Sequence, residues 1–213
     1  STVSSAVSLM VSEKLDHLAL IFKDIAKGAL LNAMMVDAGG GLFFLFKPWK
    51  VSDRKSKYFM GVGAFNLLKK SVYMDIGGHR SIKMHPIDDI MLGKVIKQSG
   101  FKQECLMAYD FLQVHWYDSP RMMIHGLMKN VFALYNFRIP YAMIAILMIF
   151  LLTILPLWAV FLTTGIIRIV CLLSVLVRLL SVAYGARITG TTYQILPFSL
   201  VTPYINIYII VTG

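Results

Sequence analysis

IPYAMIAILMIFLLTILPLWAVFLTT, residues Ile139 to Thr164, contains no charged side chain. About 20 such residues cross a hydrocarbon core about 30 Å thick at about 1.5 Å per residue, so the segment reads as a membrane-spanning helix. Pro156 sits within it as a kink point, and Trp158 lies toward its far end, where an indole suits the membrane–water interface. Gly165 then permits a tight reversal into IIRIVCLLSVLVRLLSVAYGA, with Arg168 near its start and Arg178 deeper. A guanidinium at that depth either snorkels or faces protein. A third run, Tyr193 to Val211, is interrupted by Pro197 and Pro203 and carries Asn206. The expected spans are 140–163, 166–185 and 193–212; in the alternative arrangement the last two runs form a re-entrant hairpin.

Composition agrees. Hydrophobic residues make up 57% of the 213 and only 15% are charged, against about 25% in soluble domains. Mean hydropathy is +0.68. Residues 1 to 138 hold 18 of the 21 Lys and Arg and all 11 Asp and Glu, a net charge of +7. Such a surplus beside a membrane anchor points to anionic headgroups, the positive-inside rule or phosphorylated substrates, and away from nucleic acid. With the basic part cytoplasmic, the turn near Thr163 to Ile166 lies outside and the Arg187 loop inside. Cys105 and Cys171 fall in different parts and indicate neither a disulfide framework nor a metal cluster. The five histidines form no HxxxH or HExxH pattern, so no metal site is assigned. The chain begins at Ser1 without Met and stops at Gly213 after an apolar segment, and it is expected to be a fragment.

In the basic part, Thr2 to Asp16 reads as an amphipathic helix with Val3, Val7, Met10 and Val11 on one face, and Leu18 to Phe22 as a short buried strand. Ile25 to Phe46 is apolar but broken by Lys27, Asp37 and three consecutive glycines, which reads as too interrupted for a simple transmembrane helix. Its end, Lys47-Pro48-Trp49-Lys50, fits an interfacial helix near 25–50, with Trp49 at the headgroup level and Lys47 and Lys50 on phosphates; the alternative is a buried helix pair. A polar loop, VSDRKSK, follows. GVGAFNLLKKSVYMDIGGH then reads as a strand (Ala64 to Leu68), a short helix and a Gly77-Gly78 turn.

His85-Pro86-Ile87-Asp88-Asp89 precedes a helix whose apolar face is Ile90, Leu92, Val95 and Ile96, ending at Ser99-Gly100. Two carboxylates thus fall at a helix N-terminus, which favours negative charge. One of them serves as an N-cap, or the pair supplies one cap and one general base, with crowding raising one pKa. Phe101 to Met107 and Phe111 to Trp116 read as further strands. Asp118 or Ser119 caps a helix from Pro120 to Phe137 that carries Arg121, His125 and Lys129 as a basic stripe facing solvent, lipid or a diphosphate.

Taken in order, GVGAFNLLKKSVYMDIGGH, IDDIMLGKVIKQSGFK and VHWYDSPRMMIHGLMKN, followed by apolar spans, resemble the membrane-bound family 2 glycosyltransferases over roughly residues 15 to 211. The resemblance implies a partial α/β GT-A-like domain over 1–138, a mixed sheet with flanking and interfacial helices, followed by about three transmembrane helices over 139–213. It implies an inverting enzyme, bound to membrane lipid, that moves a sugar from a nucleotide sugar to a lipid-linked or other hydroxyl acceptor. Asp89 would be the catalytic base and Asp88 its supporting carboxylate. His115, Trp116, Tyr117 and Arg121 would line the acceptor or diphosphate side. A multi-pass protein of a bacterial inner membrane, with the catalytic domain cytoplasmic, is the implied setting.

The family's nucleotide-binding half, with the DxD motif that holds a divalent metal (Mg or Mn), has no counterpart in residues 1 to 60. In place of QxxRW stands Gln113-Val114-His115-Trp116-Tyr117, closer to a V-x-W-Y-x-S variant. Two other hypotheses stand beside the enzyme: a non-catalytic membrane scaffold or degenerate remnant of the same fold, and a small transporter subunit. The last requires polar residues facing one another within the spans.

Overall fold

The computed structural model describes residues 2–213, which divide into two compact units. The first comprises residues 2–25 and 41–115, and the second 26–40 and 116–213.

The first unit is mixed α/β. Helix α1 (Thr2–Ser12) leads to β1 (His17–Ile21), the central strand of a three-stranded sheet in the order β3-β1-β4. Strand β3 (Asn66–Leu68) runs antiparallel to β1 with His17 opposite Leu68, and β4 (Gln103–Met107) runs parallel with His17 opposite Gln103. The continuous apolar run of β1 is what burial on both faces demands. Leu18 and Leu20 pack with Ala6, Met10, Leu15 and Ala108, and Ala19 packs with Val51, Val62 and Cys105. Helices α3 (Lys70–Asp75) and α4 (Asp88–Gln98) contribute a further cluster of Val72, Ile82, Leu92 and Ile96. Two short strands, β2 (Lys23–Asp24) and β5 (Gln113–Val114), pair in parallel. The strand expected over Phe111 to Trp116 is therefore reduced to two residues. A turn closed by Phe111 and Leu112 N–H groups on the Ala108 carbonyl uses its first half.

Within Ile25 to Phe46, expected to be interrupted, lies helix α2 (Ala29–Phe46). It is one unbroken helix and, with the 3₁₀ turn Pro48–Lys50, is long and apolar enough to cross a membrane. Its glycines are tolerated within the helix, and its one charge, Asp37, is partnered. In the second unit, Leu31 and Met34 of α2 pack against Met123 of α5 (Pro120–Leu134). Ser119 caps α5 as expected, its Oγ accepting from Met122 N–H at 3.3 Å.

The segment from Ile139 to Leu162 comprises α6 (Ile139–Ile149), a π turn (Phe150–Ile154) and α7 (Leu155–Leu162). Pro156 lacks the N–H that would bond the carbonyl four residues back, at Leu152. The irregular turn sits where that ladder breaks, and Ser174 Oγ donates to Leu152 O at 3.1 Å in its place. Ser174 belongs to α8 (Gly165–Thr189), terminated by Gly190 at φ +68°. Trp158 donates to Tyr204 Oη at 2.7 Å. The third expected run is a broken one: residues 193–200 form two 3₁₀ turns, and α9 (Thr202–Thr212) leaves them at a bend of 55°. Among the described residues, three helices can span a membrane by length and composition, Ala29–Lys50, Ile139–Leu162 and Gly165–Thr189, and the bent pair counts as a fourth if taken as one span.

Candidate functional site

The glycine-rich stretch and the acidic pair meet in the first unit. Asp88 and Asp89 occupy the first turn of α4, but neither is its N-cap. Ile87 holds that position without a side-chain cap bond. The Asp88 carboxylate accepts from the Asp89 N–H at 2.9 Å, and Asp89 Oδ2 accepts from the Gly63 N–H at 2.7 Å. Residues 60–63 lie directly against α4. A Cβ on Gly61 would stand 1.8 Å from the Asp89 carbonyl oxygen, and one on Gly93 2.2 Å from the Met60 carbonyl oxygen.

Alanine in place of glycine inside a helix ordinarily stabilises it by about 1 kcal/mol. At Gly93 the sign is reversed because the obstructing atom is backbone. Gly93→Ala is expected to destabilise the first unit by about 1–3 kcal/mol, read from chemical unfolding of the purified protein.

Burial raises the Asp89 carboxyl above the usual carboxylate range. The N–H groups of Ile90 and Gly63 act against that shift, and the neighbouring Asp88 charge adds to it. A half-buried carboxylate with one oxygen fixed by a backbone donor is suited to accept a proton.

Behind this loop lies a polar network whose role the sequence does not announce. His17 and Gln103 are buried, at 0% and 1% exposed. Gln103 Nε2 donates to His17 Nδ1 at 2.7 Å and to the Gly93 carbonyl at 3.0 Å, while Gln103 Oε1 accepts from Met60 N–H at 3.0 Å. With Nδ1 accepting, the proton of the neutral ring sits on Nε2, 2.9 Å from Asn66 Oδ1, which also accepts from Val62 N–H at 3.3 Å. The network joins β1, β3 and β4 to both partners of the Asp89 contact, the 60–63 loop and α4. Its sequence signature is a polar residue at an inward position in each strand.

Burial also lowers the His17 pKa, against the opposing hydrogen bond to Asn66. The unfolded chain, with a value near about 6.5, therefore binds the proton better than the folded one. This contribution to stability is full above about pH 6.5 and declines as pH falls from there through the lowered folded value. The thermal midpoint of wild type is expected to drop on acidification across that window, and that of His17→Gln, though lower throughout, to drop less.

The other expected site residues lie elsewhere. His115 Nδ1 is 2.9 Å from the Ile25 carbonyl, at the β2–β5 pair. In the second unit Trp116 and Tyr117 stack at a ring-centroid distance of 5.1 Å, and a Cβ on Gly126 would come within 2.7 Å of the Tyr117 ring. Arg121, His125 and Lys129 are exposed along α5. Lys47, Trp49 and Lys50 lie at and beyond the end of α2. Trp49 is half-exposed and packs on Phe43 at 4.9 Å between centroids, and Lys47 Nζ lies 5.0 Å from the Tyr58 ring.

Comparisons with protein-family models, curated proteins and solved structures return no match. Among the described residues, no group of three or more His, Cys, Asp or Glu side chains is placed to hold a metal ion. The Cys105 thiol, pushed up to about 12 chiefly by burial and further by Glu104, is not a nucleophile at neutral pH.

A second polar cluster occupies the other unit. Asp37 Oδ2 accepts from Arg178 Nη2 at 3.2 Å, Thr202 Oγ1 at 2.7 Å and Asn206 Nδ2 at 3.0 Å. Arg178 Nη2 also donates to the Ser199 carbonyl at 2.6 Å. Arg178 thus faces protein, one of the two positions open to it in the sequence.

Proposed function

We propose that this chain is the acceptor-side half and membrane anchor of an inverting family 2 glycosyltransferase, with Asp89 as the base that takes the proton of the acceptor hydroxyl and Asp88 as its supporting carboxylate. The observation that carries the reading is the seating of Gly61-Val62-Gly63 on the first turn of α4, with Asp89 held by the Gly63 N–H. Two motifs that bear the family resemblance, separated by 26 positions, come together around one carboxylate whose burial favours proton uptake. Deprotonation of the acceptor oxygen raises its nucleophilicity as it attacks the anomeric carbon, and the nucleoside diphosphate leaves from the opposite face. The nucleotide sugar and any divalent metal are assigned to sequence beyond this chain, in the full-length form. His115, Trp116, Tyr117 and Arg121 are proposed for the acceptor or diphosphate side. Lys47, Trp49 and Lys50 are proposed for the lipid interface. The Lys and Arg surplus of residues 1 to 138 favours a cytoplasmic domain, and the family resemblance supports a multi-pass protein of a bacterial inner membrane.

The test is sugar transfer or donor hydrolysis by the full-length protein in membranes, wild type beside Asp89→Asn. Equal turnover overturns the base assignment, and no turnover by wild type overturns the enzyme.

One observation favours a second reading, a small transporter subunit. Asp37, Arg178, Thr202 and Asn206 face one another on apolar helices, as such a subunit requires. The cluster is weaker support than the Asp89 site, because three donors already converge on a single oxygen of Asp37 and the guanidinium is further bound by the Ser199 carbonyl. Such a closed network serves structure better than passage of a substrate.

A further inference from the structure

Residues 73–83 of the first unit form an open surface concavity of about 450 Å³, lined among others by Tyr73, Gly77, Gly78, His79, Arg80 and Lys83. The volume lies within the range of small-molecule sites, about 300–1,000 Å³. The turn that forms its wall is built on glycine. Gly77 and Gly78 sit at φ +75° and +62°, a conformation that side chains disfavour. A Cβ on Gly78 would also meet the Tyr73 ring at 3.0 Å. The next residue, His79, shares a hydrogen bond of 2.8 Å between its Nδ1 and Tyr73 Oη. A phenol and a neutral imidazole hold two polar hydrogens between them. One is used in this bond and the other remains to be offered to a ligand, whichever tautomer is present.

The charge of the lining is one-sided. Arg80 and Lys83 line the cavity, no acidic side chain does, and neither cation takes part in an ion pair among the described residues. Arg80 and Lys83 thus bring fork and point-charge donors to one concavity with no protein counter-ion. The chemistry that matches such a lining is a compact, multiply charged oxyanion.

We propose that this cavity binds a phosphoryl anion, a phosphomonoester or diphosphate, gripped by Arg80 and Lys83 with the Tyr73–His79 pair as a further donor. The assignment stands independently of the glycosyltransferase proposal, because it rests on a different group of residues and is read by binding alone. The phosphoryl group belongs either to a free solute or to a lipid headgroup, and the two sources are separable.

The experiment has two arms on the purified full chain. In detergent, binding of inorganic pyrophosphate is measured by equilibrium dialysis. In mixed micelles of phosphatidylcholine with phosphatidic acid, retained lipid is counted by native mass spectrometry. Wild type is compared with Arg80→Gln, Lys83→Gln, the double variant and Lys55→Gln, an exposed charge loss outside the cavity. All three changed positions are exposed, so circular dichroism is expected to be unchanged in the four variants.

Saturable, salt-weakened binding is expected, reduced about tenfold by each single cavity variant and unaffected by Lys55→Gln. Loss confined to the pyrophosphate arm identifies a free phosphoryl solute, and loss confined to the phosphatidic acid arm identifies a lipid phosphate. The proposal is overturned if wild type binds neither probe, if the double variant binds like wild type, or if Lys55→Gln weakens binding as much as the double variant.

Discussion

Asp37→Ala is expected to destabilise the second unit by about 3–5 kcal/mol, the effect of leaving one member of a buried ion pair without its partner. Asp37 lies on α2 and Arg178 on α8, with side chains 15% and 16% exposed and 3.2 Å apart. A guanidinium does not escape by deprotonation, so the truncation leaves a full charge among apolar helices, an especially costly condition if the surroundings are hydrocarbon. The Ser199 carbonyl, 2.6 Å away, satisfies part of its donor set but none of its charge.

Replacing both charges has a different outcome. Asp37→Ala with Arg178→Leu removes the demand together with its partner, and such replacements are often near neutral. A double-mutant cycle by chemical unfolding in micelles is therefore expected to show the double variant more stable than Asp37→Ala alone. Additive losses would mean that the two side chains act separately. Asp37→Asn is expected to fall between, since its amide oxygen still accepts from Thr202 and Arg178.

That ion pair also shows why part of the fold is hidden in the sequence. The runs Ile139 to Thr164 and Ile166 to Ala186 are legible because hydrocarbon admits long, predominantly apolar helices and little else. Asp37 makes Ile25 to Phe46 look interrupted, and the residue that makes the charge tolerable lies 141 positions away. Only the folded chain pairs them. In the same way His17 and Gln103, 86 positions apart, read as incidental polar residues in two strands until their side chains are seen to support the loop and helix around Asp89. Local signals fare better: Ser119 before Pro120 gives a cap, and Pro156 marks the Leu152 carbonyl that Ser174 rescues. The acidic pair lies between these cases. Its place at a helix start follows from Ile90, Leu92, Val95 and Ile96, but its partner, the Gly63 N–H, depends on a glycine-only approach of two backbones.

Under the proposed function, Asp89→Asn is expected to reduce kcat of the full-length protein by about 10²–10⁴, the usual contribution of a positioned general base, with a smaller change in KM. Asparagine keeps an oxygen to accept from the Gly63 N–H, so the thermal midpoint should hold while activity falls. The pH profile separates a base from a positioning residue. Because burial raises the Asp89 carboxyl, the acidic limb of kcat/KM should lie above the usual carboxylate range, with full rate reached only once that group is ionised. Asp88→Asn removes one cause of the raised value, so its limb should move toward lower pH while most of the rate at neutral pH survives. A limb that stays in place in Asp88→Asn, together with an Asp89→Asn enzyme that retains both wild-type rate and profile, would assign the proton transfer to another group and leave Asp89 as a structural tie between α4 and the glycine loop.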